Sequence, residues 1–260
     1  MNTYSFPIGN FSALVISDGG MPVTKEFFFA ETPDHLVQGF PANFQAPLNF
    51  IHITTDNKNI LIDTGFGSRC KDAGQLLHNL AKHGINKYDI DEVILTHGHL
   101  DHIGGAVIEG EPSFPNATYY LRIEEWDMWA ANKESEEYQI LSRLENSITF
   151  IHKDVEILPG IKLFLTPGHT DGHLSVMVQS ESQRLLIVSD LLNDPSTLNH
   201  LSSHIGLEVS PEKGSQTRKA IIDFAKQQGI MLFVCHYPFP GLGFIEDHNN
   251  NHKWIPYFKE

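Results

Sequence analysis

Short apolar runs separated by polar turns dominate the chain. Residues 11–18, 48–54 and 59–62 are apolar or alternating over lengths that suit β-strands. The first run is expected to stop at Gly19-Gly20, and the next two to form a hairpin around Asp56-Asn57-Lys58. Leu76, Leu77 and Leu80 within residues 71–83 follow the period of a helix, with Gly84 as its stop. Val93-Ile94-Leu95 predicts a buried strand, and residues 117–121 another. Residues 123–131 and 134–144 read as helices, with Trp126 and Trp129 on one face as core or lid. The second half repeats the theme. Strands are predicted at 161–166, 174–179, 184–189 and 231–235, with a helix at 215–228 stopped by Gly229. This rhythm belongs to an α/β fold. Three consecutive aromatics, Phe27-Phe28-Phe29, fit either core packing or the wall of an apolar pocket.

Several strand ends carry the same chemistry. Right after Val93-Ile94-Leu95 comes Thr96-His97-Gly98-His99-Leu100-Asp101-His102. Three imidazoles and a carboxylate on the turn after a buried strand can converge on one point. These are the donors that borderline divalent metals prefer, zinc above all. A single histidine there would read as a surface residue; the cluster reads as a metal motif. Asp63, His169, Asp190 and His236 also stand at predicted strand ends. Each alone is weak evidence.

His-x-His-x-Asp-His resembles the signature of the metallo-β-lactamase superfamily. That resemblance implies an αββα sandwich of two mixed β-sheets flanked by helices, with a metal centre at one edge, as a single domain over 1–260. Carried over by position, one metal takes His97, His99 and His169. The other takes Asp101, His102 and His236, and Asp190 bridges both. Asp101 is also the candidate catalytic residue, moving a proton during turnover. Asp63 is implied to orient the ligands, and His173 to support them without binding. The expected cofactor is two divalent ions, zinc first, with iron, manganese or cobalt as alternatives. His200 and His204, on the segment after Asp190, are candidates for facing the pocket.

The stretch His236-Tyr237-Pro238-Phe239-Pro240-Gly241-Leu242-Gly243 and the early Ser17-Asp18-Gly19-Gly20 look most like the methyl parathion hydrolase and N-acyl homoserine lactonase branch. The implied activity is hydrolysis of ester-type bonds in small, fairly apolar substrates: aryl esters, phosphotriesters or lactones. A homodimer is implied as well. Quorum-quenching lactonases usually carry a tyrosine three residues after the bridging aspartate, where Asn193 stands here. That departure points towards aryl esters or phosphotriesters, and Asn193→Tyr is expected to help lactones selectively. A di-iron redox protein and a metal-free binding protein are the rival readings.

Composition narrows the partners. An apolar fraction of 41% supplies a real core, and no apolar stretch is long enough to span a membrane. The opening residues lack a basic flank and an apolar signal core, so no export is expected. Two cysteines, Cys70 and Cys235, argue no disulfide framework and fit a reducing cytoplasm. A formal net charge of −14 disfavours nucleic acid and anionic membranes, leaving a small-molecule substrate as the expected partner.

Overall fold

The computed structural model describes residues 2–249 and 251–257. The first half supplies β1 (Thr3–Ile8), β2 (Phe11–Thr24), β3 (Asn43–Thr54), β4 (Asn59–Ile62) and β5 (Glu92–Ile94). A small hairpin, β6 (Val107–Ile108) and β7 (Glu111–Pro112), precedes β8 (Thr118–Arg122) and β9 (Ile148–Ile151). One sheet has the order β1-β2-β3-β4-β5-β8-β9. Its β1–β4 pairings are antiparallel, and its β4–β5, β5–β8 and β8–β9 pairings parallel. The second sheet runs in chain order through β10 (Val155–Leu158), β11 (Ile161–Leu165), β12 (Leu174–Ser180), β13 (Gln183–Ile187), β14 (Met231–Phe233), β15 (Leu242–His248) and β16 (Asn251–Pro256). Within it β13 and β14 are parallel.

The period-two alternation of strand side chains explains the layers. In and just beyond β5, Val93 and Leu95 face an outer core, while Ile94 faces the space between the sheets. The inter-sheet core joins Val15, Ile51, Ile53, Ile60 and Ile62 to Leu163, Leu174, Val176, Leu185 and Ile187. Outside the first sheet, Leu76 and Leu80 of helix Leu76–Lys82 and Ile140, Leu141 and Leu144 of helix Glu136–Leu144 complete the outer core. Outside the second sheet, Ile221, Ile222 and Ala225 of helix Pro211–Gln228 pack on Leu186, Leu232 and Val234. This is the expected αββα sandwich. Gly229, at φ +58°, ends the last helix as its sequence position predicts.

Among the differences from expectation, two share a cause. β2 does not stop at Gly19-Gly20. It bulges between Ser17 and Gly19 and continues to Thr24. The bulge frees the Asp18 carboxylate to accept the N–H groups of Phe66, Gly74 and Leu76. The helix expected from residue 71 begins only at Leu76, because these bonds hold residues 72–75 as a turn in which Gly74 has φ +81°.

Candidate metal centre

The parallel pairs β4–β5 and β13–β14 bring four strand ends to one edge, followed respectively by Asp63, the His97–His102 turn, Asp190 and His236. The loop after β11 supplies His169. The two halves are joined there by Leu174 N–H donating to Thr96 O at 2.9 Å and by Thr96 Oγ1 against Ser189 Oγ at 2.9 Å. Asp63 and Ser189 adopt left-handed φ values of 61° and 47°. Outside glycine, asparagine and aspartate this costs about 1–2 kcal/mol per residue. At Asp63 the surroundings hold it: Asp63 N donates to Ile94 O, and its carboxylate accepts Thr96 N–H at 2.7 Å and Thr96 O–H at 2.8 Å.

His97, His99, His169 and Asp190 form one buried group whose donor atoms lie within 4.8 Å of one another. His97 Nε2 is 3.1 Å from His99 Nδ1, which is 2.9 Å from His169 Nε2. Asp190 Oδ2 is 3.7 Å from His97 Nε2 and 3.3 Å from His169 Nε2. Donors bound tetrahedrally at 2.0–2.1 Å from one ion stand about 3.3 Å apart, so these edges fit a zinc-sized cation. His102, Asp190, Cys235 and His236 form a second such group. Asp190 Oδ1 is 3.0 Å from His102 Nε2 and 3.2 Å from His236 Nε2. Asp101 Oδ2 approaches the same two nitrogens at 3.5 and 3.7 Å. All seven residues expected as ligands thus lie at this edge; Asp190 belongs to both groups, and Asp101 stands beside the second.

Electrostatics separates the groups. Burial holds His97, His99 and His169 below the ordinary imidazole range, in the neutral, metal-binding form. Burial opposes charge at His102 too, yet Asp190, Asp101 and Asp63 carry it well above that range. His236 is likewise raised against burial, by Cys235 and Asp190. Burial opposes ionisation of Asp190, but His102 and His236 hold it well below the carboxylate range. A cation bound there would compete with protons for these nitrogens.

The remaining expectations divide. Asp63 Oδ2 stands 2.8 Å from His102 Nδ1 and turns Nε2 towards the second group. His173 packs its ring 5.3 Å from that of His97 and bonds Thr166, outside both groups. Phe28 and Phe29 are core, Phe28 edge-on to the His236 ring at 5.7 Å, whereas Phe27 lines the site cleft. That cleft, of about 200 Å³, has Met21, Phe66, Leu100, Ile205 and Leu207 as further apolar walls over His99, Asp101, His169 and Asp190. His200 and His204 do not line it; they turn to the backbone carbonyls of Glu31 and Ser202. Asn193 is also turned away. Its amide donates to Phe28 O at 2.7 Å and accepts from Thr197 Oγ1 at 3.0 Å, both in the interior. The side chain there braces the Phe28 backbone, and this geometry bears on the expectation that Asn193→Tyr would help lactones.

Comparison with known proteins agrees with this fold. The model of the metallo-beta-lactamase superfamily matches residues 47–249. The chain belongs to the metallo-β-lactamase superfamily. Relatives within the superfamily include an N-acyl homoserine lactonase of Bacillus cereus, 30% identical over 110 residues, covering 42% of this chain and 41% of the relative. An N-acyl homoserine lactonase of Bacillus thuringiensis is 26% identical over 163 residues, 62% of each chain. The chain thus spans about two-fifths to three-fifths of the length of these relatives. Among solved structures, AidC, a dizinc quorum-quenching lactonase, superposes with a TM-score of 0.91 at 24% identity, covering 100% of this chain and 98% of AidC. The hydrolase AbOPH superposes at 0.86 with 25% identity, covering 100% and 99%.

Two residues beside these groups were missed by sequence reasoning. Cys235, with Sγ 3.0 Å from Asp190 Oδ1, was read as the end of a buried strand; its place directly before His236 was the available signal. Glu125 was hidden as one of two acidic residues in the first turn of helix Ile123–Ala130.

Proposed function

We propose that this protein is a dinuclear metal-dependent hydrolase that cleaves ester-type bonds in small, fairly apolar substrates. The observation that carries the reading is a pair of buried donor groups sharing Asp190 at the floor of an apolar cleft. His97, His99 and His169 would hold one zinc ion, Asp101, His102 and His236 the other, with Asp190 between. When bound, two such cations lower the pKa of a shared water towards neutrality and polarise the scissile bond. The protein's own part is positional. Neutral imidazoles present lone pairs, Asp63 fixes the His102 tautomer, and the apolar walls seat an acyl or aryl group. Asp101 lines the cleft beside His102 and His236 and, as the candidate catalytic carboxylate, would take the proton released by the attacking water and pass it to the departing alcohol. Water adds to the acyl or phosphoryl centre, and the alcohol leaves with that proton. Cleft dimensions and wall chemistry favour neutral small molecules over nucleic acid.

A second reading is N-acyl homoserine lactonase, favoured by the names of the sequence relatives. A cytoplasmic location and a homodimer complete the proposal; the free thiols of Cys70 and Cys235 support the former. Zinc-loaded protein should be assayed on aryl esters, phosphotriesters, thioesters and N-acyl homoserine lactones, with and without a chelator. Chelator-sensitive turnover of neutral esters is expected, with aryl esters or phosphotriesters at least matching lactones. A strong preference for lactones would select the second reading. Zinc-replete protein inert towards all of them would refute hydrolysis.

A further inference from the structure

We propose that Glu125 is a positioning residue that clamps together the two loops carrying His97, His99 and His169, and so sets how tightly that group holds its metal. The inference rests on the two-metal reading above. Glu125 is fully buried in helix Ile123–Ala130. Its Oε1 accepts Gly98 N–H at 2.8 Å and Trp129 Nε1–H at 2.7 Å, and its Oε2 accepts Thr170 O–H at 2.6 Å. Gly172 N–H bonds the same carboxylate. Every partner is a donor, so the side chain acts purely as an acceptor, the role of a carboxylate.

The position of those donors matters. Gly98 lies between His97 and His99, and Thr170 follows His169. One carboxylate therefore spans a loop from each half of the molecule. The two glycines let their loops approach the helix that carries it. A Cβ at Gly98 would fall 2.2 Å from Trp129 Nε1, and one at Gly172 2.3 Å from the backbone nitrogen of Glu125. The Trp129 ring in turn stands edge-on to His99 at 5.7 Å.

Metal-binding histidines are normally oriented by a hydrogen bond from their second ring nitrogen. His102 has Asp63 and His236 has Pro47 O for this. His169 Nδ1 is buried and has no hydrogen-bond partner among the described residues. Its orientation must come from its loop, and the loop is held by Glu125. Loss of the clamp should therefore loosen the three-histidine group selectively.

The test is a competing-chelator titration of zinc-loaded protein that resolves release of the two ions, with melting of the chelated protein as the folding check. His99→Ala identifies the step that belongs to the three-histidine group. In Glu125→Gln that step is expected to weaken 10–100-fold, the usual effect of losing such a partner, while the other moves less than about threefold. Thr170→Val, which removes one bond and leaves the carboxylate in place, should weaken the same step by a smaller factor, and serves alone if the Gln variant does not fold. Folded variants that release both ions as wild type does, or that weaken both equally, would overturn the clamp. Wild-type protein that takes up no zinc would instead overturn the two-metal reading, and the clamp with it.

Discussion

Replacing Asp63 by asparagine isolates one proton. The carboxylate accepts Thr96 N–H through Oδ1, and Thr96 O–H and the His102 Nδ1 proton through Oδ2. Asparagine is at home at φ +61°, so the backbone gains no strain. Its oxygen can keep Thr96 N–H, but its amide NH2 then faces His102. His102 must give up the Nδ1 proton and carry it on Nε2, the atom 3.0 Å from Asp190 and aimed at the second group. Metal affinity there should fall roughly 10–100-fold, or about 1.4–2.7 kcal/mol. At fixed free zinc above the dissociation constants, folding loses the same amount of ligand stabilisation. At about 2–4 °C per kcal/mol for a chain of this size, the zinc-dependent rise in Tm should shrink by roughly 3–11 °C. Differential scanning calorimetry with and without zinc, in wild type and Asp63→Asn, measures it. Taking the difference removes any effect on the metal-free protein. An unchanged zinc-dependent rise would refute the tautomer argument.

Other outcomes follow from the same geometry. Asp190→Ala should strip zinc from both groups, whereas His236→Ala should leave about one ion per chain by elemental analysis; similar negligible loss in both would show that Asp190 does not bridge. Asn193→Tyr should lose the bonds to Phe28 and Thr197 and overfill a buried site. It should lower stability by about 2–4 kcal/mol in urea unfolding without raising lactone turnover. His52 on β3 is buried, with Nε2 unpaired among the described residues, and burial lowers it to about 4. The unfolded chain takes up that proton below about pH 6.5. Stability from this site is therefore full above that pH and is lost as pH falls towards 4. The loss by pH 4.5 is about 2–3 kcal/mol, and chelated His52→Leu should be less acid-sensitive than chelated wild type by that amount.

The site was legible in the sequence because its ligands sit at the ends of apolar runs. A buried strand end followed by histidine or aspartate is a local signal, and five such ends in order specify one edge of a sandwich. The supports were less legible because they act across the chain. Asp18 looked like the last residue of a strand closed by Gly19-Gly20, yet the glycines permit a bulge and Asp18 caps a turn more than forty residues away. Glu125 is an ordinary acid in a helix until Gly98 and Thr170 are folded against it. Asn193 took its expected role from a loop position, but its side chain points into the core. Period and residue type report which face a side chain occupies in a regular element; in loops they report neither direction nor partner.

The central claim is that two donor groups sharing Asp190 hold two metal ions. Elemental analysis of protein purified without chelator and without metal-binding tags tests it most directly. The expected result is about two metal ions per chain, predominantly zinc. A reproducible content near zero in folded protein with every ligand intact would contradict it.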